Sequence, residues 1–174
     1  MTVKRLDPSH VAEYRALMLE AFELHPDAFI SSFAERAALP LSWWESRLQE
    51  EPRPSELVLG AFHDERLAGV AGLSFEKREK ARHKATLFGM YVSSRFRRHG
   101  LGRQIVEAVL AEASSRGVKV VQLMVTHGNR AAQGLYEQCG FVQYGLEPLA
   151  VRVGNEFVSK VHMWCDLDAT PKTD

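Results

Sequence analysis

The sequence has 174 residues, 45% of them hydrophobic and 25% charged, and its 22 basic side chains equal its 22 acidic side chains in number. These values are typical of one soluble globular domain, and a formal net charge of zero argues against a protein dedicated to nucleic-acid binding. No apolar run approaches the roughly 18 residues of a membrane helix, and the N-terminus lacks the apolar core of a signal peptide. Cys139 and Cys165 have neither metal-ligand nor redox spacing. We therefore expect a cytoplasmic protein with no membrane or nucleic-acid partner.

The hydrophobic pattern divides the chain into strands and helices. Apolar residues recur at helical spacing after Asp7-Pro8, a typical helix start, whereas β-branched runs separated by polar turns indicate strands. In chain order, strands are predicted at residues 2–6, 57–62, 67–75, 85–92, 118–125, 142–153 and 157–166, and helices at residues 8–23, 42–51, 100–116 and 130–139. Residues 24–41 are expected to be irregular, and Ser42-x-x-Glu45 has the pattern of a capping box that would begin the second helix. The pattern predicts one mixed α/β domain over residues 1–167, followed by a frayed polar tail over residues 168–174.

A loop with two glycines joins the strand at 85–92 to the helix at 100–116. Gly100 and Gly102 have no Cβ, so backbone N–H groups there can approach a ligand closely. The first-turn N–H groups of the helix lie unpaired at the positive end of its dipole, which suits a pyrophosphate. Four arginines add positive charge around the loop: Arg95, Arg97, Arg98 and Arg103. The loop lacks the Gly-Lys-Ser/Thr of a Walker loop and the third glycine of the dinucleotide fingerprint.

Two motifs carry a resemblance to a known family. Arg97-x-x-Gly100-x-Gly102 resembles the acetyl-CoA signature (Q/R-x-x-G-x-G/A) of the GCN5-related N-acetyltransferase (GNAT) superfamily. A second similarity to that superfamily lies in the pattern Asn129-x-x-Ala132-x-x-Leu135-Tyr136-x-x-x-Gly140-Phe141. The resemblance is detailed over about residues 85–145 and topological over residues 1–84.

This resemblance implies a fold and an activity. The expected fold is a single N-acetyltransferase domain with a central, mostly antiparallel, twisted sheet of about six or seven strands, flanked by about four helices. The expected activity is transfer of an acetyl group from acetyl-CoA, the cosubstrate, to a primary amine. The amine would attack the thioester directly, through a tetrahedral intermediate and without a metal.

The resemblance also implies roles for individual residues. Backbone groups of Met90 and Val92 would bind the pantetheine arm, with the Tyr91 side chain between them on the other face, and the Val92 N–H would polarise the thioester carbonyl. Asn129 would contact the pantetheine arm or its surroundings. Tyr136 would protonate the leaving thiolate, since the pKa of a phenol, about 10, is close to that of a thiol, about 8.5. Backbone N–H groups of Arg98 through Arg103 would bind the pyrophosphate. The residues of this loop that the resemblance assigns to cofactor binding are Arg97, Arg98, His99, Gly100, Leu101, Gly102 and Arg103.

The chain departs from the superfamily at one catalytic position. Several members carry a glutamate there as general base, and this sequence has Thr86. Deprotonating a lysine amine of pKa about 10.4 costs about 4.6 kcal/mol at pH 7, whereas an α-amino group of pKa about 7.7–8.0 costs only about 1–1.4 kcal/mol. Either the nucleophile is an amine of low pKa, or another side chain is the base, for which the candidates are His25, Glu76, His83 and Tyr91.

Other functional classes stay open. A non-catalytic acyl-CoA-binding or sensing module would keep the phosphate loop without needing an acid at Tyr136. A nucleic-acid binder would use the basic runs at 77–84 and 95–103, which Glu76 and Glu79 and the zero net charge oppose.

The acceptor site is the least defined part of the sequence. Aromatic residues before the first hairpin either line an acceptor pocket or pack on the sheet, and packing is favoured for most of them: Phe29, Phe33, Trp43 and Trp44. A small-molecule or a peptide amine is compatible with the pattern as acceptor. Strand edges and the closing hairpin are compatible with a homodimer.

Overall fold

The computed structural model describes residues 1–97 and 99–169. Seven strands in this part of the chain form one sheet: β1 (Thr2–Arg5), β2 (Glu56–His63), β3 (Arg66–Phe75), β4 (Lys84–Val92), β5 (Val120–Thr126), β6 (Val142–Val153) and β7 (Glu156–Asp166). Five α-helices accompany them: α1 (Val11–Leu24), α2 (Phe33–Ala37), α3 (Leu41–Ser46), α4 (Leu101–Ser115) and α5 (Arg130–Gln138). The strand order is β1-β2-β3-β4-β5-β7-β6, and all neighbours are antiparallel except β4 and β5. The expected mixed α/β fold with a mostly antiparallel sheet is confirmed.

Strands β4 and β5 pair only at their beginnings. The parallel register covers three pairs, Lys84 to Thr86 opposite Val120 to Gln122, although both described strands continue beyond them. The register between β3 and β4 shifts between Val70 and Gly72, so β4 carries one extra residue and bulges there. Gly89 in this bulge has a φ of +57°, a backbone conformation that favours glycine. Bulge and divergence together open the sheet between β4 and β5.

Two apolar cores lie on the two faces of the sheet. On one face, α4 buries Leu101, Ile105, Val109 and Ala113, which recur at every fourth position and therefore share one side of the helix. On the other face, α1 and α3 bury Tyr14, Leu17, Met18, Phe22 and Trp44. The loop between β4 and α4 is thus held between two well-packed elements.

The front half differs from the expectation in one element. The segment 24–41 was expected to be irregular, but residues Phe33–Ala37 form α2, so this prediction is wrong. The capping box lies at Ser32 and Glu35, where each backbone N–H donates to the other side chain, at 2.9 and 3.1 Å. Helix α3 instead begins after Pro40 without a side-chain cap. A five-residue helix shows too few apolar repeats for its period to stand out.

The C-terminal boundary is partly described. Asp168 forms an ion pair of 3.0 Å with Lys119, and residues 170–174 of the expected polar tail lie outside the described residues. Among the helices that the structure describes, none is both long and apolar enough to cross a lipid bilayer.

Candidate active site

A large cleft of about 970 Å³ lies where β4 and β5 have diverged, and its walls come from the end of β4, the loop after β5, the first turn of α4 and one face of α5. Most residues that the sequence assigned to cofactor binding line it. They are Met90, Tyr91, Val92, Arg97, Gly100, Leu101, Gly102, Arg103, Asn129 and Tyr136. His99 is absent from these walls and stacks on His63, with ring centroids 5.4 Å apart. Arg98 lies outside the described residues.

The first turn of α4 faces the large cleft. Gly100, the residue before the helix, has a φ of +70°, in the left-handed region that favours glycine. A Cβ on Gly102 would lie 3.0 Å from Leu135 Cδ2, so this glycine lets α4 and α5 approach closely. N–H groups in a first turn have no partners within the helix and lie at the positive end of its dipole. This end of the cleft therefore suits a phosphate group.

The arginines near the loop differ in what they contact. Arg103 Nε donates to Glu107 Oε1 at 2.7 Å, one turn along α4. Arg97 Nη2 lies 3.2 Å from His25 Nε2, and since a guanidinium only donates, this nitrogen of His25 is the acceptor. Arg97 is exposed at the cleft wall and can contribute positive charge to an anionic ligand.

Tyr136 lies on α5 and is only 6% exposed. Its ring packs against Phe141 with centroids 5.8 Å apart, and the residue lines the large cleft. Burial raises the pKa of the phenol, so the hydroxyl keeps its proton at neutral pH. Within the described part of the chain this hydroxyl has no hydrogen-bond partner. Asn129 caps α5 by accepting from Ala132 N at 3.2 Å.

Tyr91 points its hydroxyl toward α1. It donates to Glu20 Oε1 at 2.9 Å, and Ser93 Oγ donates to the same oxygen at 2.9 Å. Burial and the hydrogen bond to the carboxylate raise the pKa of Tyr91 to about 12. Sequence analysis missed Glu20; the available signal was a carboxylate directly preceding the buried pair Ala21 and Phe22 on α1.

A small cavity of about 210 Å³ lies beside the large cleft, and Ala28 and Phe29 line both. Its other walls come from α1, the α2–α3 region, β4, β5 and β7. Of the four aromatic residues whose role was open, Phe29, Trp43 and Trp44 line this cavity, whereas Phe33 does not. Trp44 is also 1% exposed and packs edge-on against Tyr14, so lining and packing are compatible there.

Lys160 anchors residues 27 and 28, which lie between the two cavities, by hydrogen bonds. Its Nζ donates to Ala28 O at 3.1 Å and to Thr126 Oγ1 at 2.9 Å, while Thr126 Oγ1 donates to Asp27 O at 2.8 Å. The side chain is buried, and desolvation lowers the pKa of its amine. These three bonds fix residues 27 and 28 against the end of β5 and the middle of β7.

Thr86, at the position where the resemblance would place a general base, lines the small cavity. Of the four candidate replacements, Glu76 and His83 line neither cavity, and pairing with Arg78 lowers the pKa of Glu76 to about 2. Tyr91 is a hydrogen-bond donor to Glu20. His25 lines the large cleft, but Arg97 occupies its acceptor nitrogen.

Comparison with known proteins adds relatives to this geometry. The Acetyltransferase (GNAT) family model matches residues 18–141. The [Ribosomal protein bS18]-alanine N-acetyltransferase of Salmonella typhimurium is 34% identical over 107 residues, which are 62% of this chain and 69% of the relative. The protein of the same name from Escherichia coli K12 is 43% identical over 58 residues, 33% of this chain and 39% of the relative.

Solved structures share the fold over nearly the whole chain. An acetyltransferase of the GNAT family from Streptococcus pneumoniae superposes with a TM-score of 0.81 and 25% identity, covering 94% of this chain and 96% of that one. The yncA structure, a putative acetyltransferase from Salmonella typhimurium with its cofactor acetyl-CoA, has a TM-score of 0.79 and 21% identity, covering 100% and 98%.

Proposed function

Because this chain belongs to the acetyltransferase (GNAT) family, we propose that it transfers the acetyl group to an α-amino group by direct attack on the thioester. The protein is an acetyl-CoA-dependent N-acetyltransferase. The observation that carries the proposed reaction is the large cleft, which the glycine loop, the end of β4 and Tyr136 all line.

Acetyl-CoA fits this cleft by the chemistry of its parts. The pyrophosphate would bind the first turn of α4, at Gly100 and Gly102, and the pantetheine arm would lie along Met90 and Val92. Ser93 N donates to Ala68 O of β3 at 2.9 Å. Since N–H groups alternate in direction along a strand, the N–H of Val92 faces the cleft. This direction supports Val92 as the donor to the thioester oxygen.

The proposed reaction balances as follows. The amine lone pair forms the C–N bond at the thioester carbon, and the oxyanion that results accepts a hydrogen bond from Val92 N–H. Collapse of the intermediate breaks the C–S bond, the nitrogen loses one proton to solvent, and Tyr136 gives one to the sulfur. The tyrosinate then regains a proton from solvent, so the enzyme returns to its starting state. Desolvation raises the pKa of the buried phenol, so Tyr136 still carries its proton when the thiolate leaves.

The absence of a carboxylate at Thr86 favours an acceptor that needs little help to lose its proton. An α-amino group costs about 1–1.4 kcal/mol to deprotonate at pH 7, against about 4.6 kcal/mol for a lysine amine. The Salmonella typhimurium relative acts, by its name, on an alanine of ribosomal protein bS18. Both observations support an α-amine as nucleophile.

The test is CoA release with acetyl-CoA as donor, from pH 6 to pH 9. Matched acceptors would carry a free α-amine with a blocked ε-amine, or the reverse, and peptides would have free or blocked N-termini. Turnover confined to α-amines is expected, with an acid limb of kcat/KM that follows the pKa of the acceptor amine. Turnover on ε-amines alone would reject the choice of amine. Tight acetyl-CoA binding with no turnover on any amine would reject the proposed reaction and favour a sensing module.

A further inference from the structure

The small cavity carries an unbalanced positive charge. Three cationic side chains line it, Arg36, Arg47 and Lys160, and none of the described residues on its walls is a carboxylate. Lys160 is committed to Ala28 O and Thr126 Oγ1. The two guanidinium groups are therefore the charges available to a ligand.

Packing holds both guanidinium groups in place. The Arg36 and Arg47 guanidinium carbons lie 4.4 and 4.5 Å from the centroid of the Trp43 ring, so cation–π stacking fixes both side chains. Arg47 also contacts Glu56, but at 3.9 Å, the long end of an ion pair. In the part of the chain that the structure describes, the Arg36 side chain has no hydrogen-bond or carboxylate partner.

Two half-buried cations are costly to hold without an anion when the nearby carboxylates, Glu35 and Glu56, form no ion pair with Arg36. Like charges repel, and partial burial weakens the screening that water would supply. Burial and the nearby charge of Arg47 both lower the pKa of Arg36, which reflects this cost. A carboxylate bound in this cavity would accept charge-assisted hydrogen bonds from donors that are already ordered.

On the basis of the function proposed above, we propose that the acceptor is a free, apolar amino acid whose carboxylate binds Arg36 and Arg47. Its α-amino group would reach the acetyl group past Ala28 and Phe29, which both cavities share. The cavity volume of about 210 Å³ is below the roughly 300–1,000 Å³ of sites for drug-sized ligands, and suits one residue better than a peptide segment.

The remaining walls explain the choice of an apolar side chain. They are formed by apolar and aromatic groups that include Met18, Phe22, Phe88 and Met124.

Arg36 and Arg47 also affect the reactivity of the amine. A free carboxylate stabilises the ammonium form of its own α-amine, and pairing that carboxylate with two guanidinium groups removes this effect. The same contacts would thus select the acceptor and ease its deprotonation in a site without a carboxylate base.

The first test compares leucine with leucinamide, which share the side chain and differ in the carboxylate; because the carboxylate also changes the pKa of the amine, kcat/KM is calculated for the unprotonated amine of each. We expect the wild-type kcat/KM for leucine to exceed that for leucinamide at least about tenfold. Arg36→Gln should bring the two substrates within about twofold of each other, mainly through KM for leucine. Arg152→Gln, at an exposed position on β6, is the matched control and should keep the wild-type ratio. Equal use of the two substrates by the wild type would overturn the inference, and so would an unchanged ratio in Arg36→Gln.

A second measurement separates this inference from the proposed reaction. Calorimetric binding of N-acetyl-leucine and N-acetyl-leucinamide to the CoA-loaded wild type requires no turnover. At least about tenfold tighter binding of the acid is expected, even if no amine is acetylated and the proposed reaction fails. Equal binding would overturn the carboxylate site while leaving acetyl transfer intact. A C-terminally amidated peptide that is acetylated faster than leucine would also overturn it and assign the acceptor to protein N-termini.

Discussion

The replacement Tyr136→Phe separates catalysis from folding at one atom. The phenol hydroxyl has no hydrogen-bond partner within the described residues, so its removal leaves no donor or acceptor unpaired. The ring keeps its contact with Phe141, with centroids 5.8 Å apart. We therefore expect the free energy of unfolding to stay within about 0.5 kcal/mol of the wild type. By contrast, loss of a positioned general acid lowers kcat by about 10²–10⁴-fold.

Three measurements on the same variant test this reasoning. Urea unfolding gives the stability, CoA release gives kcat, and calorimetry gives the acetyl-CoA Kd, which should change less than about threefold because the hydroxyl acts after binding. A kcat within a few-fold of the wild type would remove Tyr136 from the reaction and assign thiolate protonation to another group. A stability loss above about 1 kcal/mol would show that the hydroxyl has a structural partner.

Two further predictions concern the backbone and the alkaline pH range. Gly134→Ala lies inside α5 with no neighbouring atom within 4 Å of the added Cβ, so it should stabilise the protein by about 0.5–1 kcal/mol. Gly100→Ala, at a φ of +70°, should destabilise the protein by about 1 kcal/mol. Thermal unfolding measures both variants, and equal changes in melting temperature would contradict the expected difference. The pKa of Tyr91 is about 12 in the folded protein and about 10 in the unfolded chain. The free energy of unfolding that this group contributes is therefore fully present below pH 10 and is lost as the pH rises toward 12. Tyr91→Phe should make the loss of stability across this window smaller, and an identical pH dependence of urea unfolding in the two proteins would refute the assignment.

Most of the back half of the fold could be predicted because its patterns are long and local. The helix predicted at 100–116 is observed as Leu101–Ser115, and the hairpin at the C-terminus is observed as β6 and β7 with a turn at Gly154. In these elements the apolar period is repeated over ten residues or more, so packing and propensity agree. Helix α2 was missed because five residues carry little periodicity and its capping box stands without a long apolar run.

The candidate site divides in the same way. The glycine loop was predictable because a phosphate site of this kind is built from consecutive backbone groups, which a sequence motif records. The stacking of both Arg36 and Arg47 on Trp43 was not predictable, because it depends on how α2 and the end of α3 pack together. Glu20 meets Tyr91 across 71 positions, and Lys160 meets Ala28 across 132. Contacts between residues so distant in sequence leave no local pattern.

The divergence of β4 from β5 also has a mechanical consequence. Three residue pairs join the two parts of the sheet, and a molecule bound in the large cleft would contact both the end of β4 and the loop after β5. Bound acetyl-CoA would then link the two parts of the sheet, β1–β4 and β5–β7, as well as react. At a free concentration one hundred times its Kd, a ligand adds about 2.7 kcal/mol to the free energy of unfolding. The resistance of this protein to unfolding would accordingly rise and fall with the supply of its own acetyl donor.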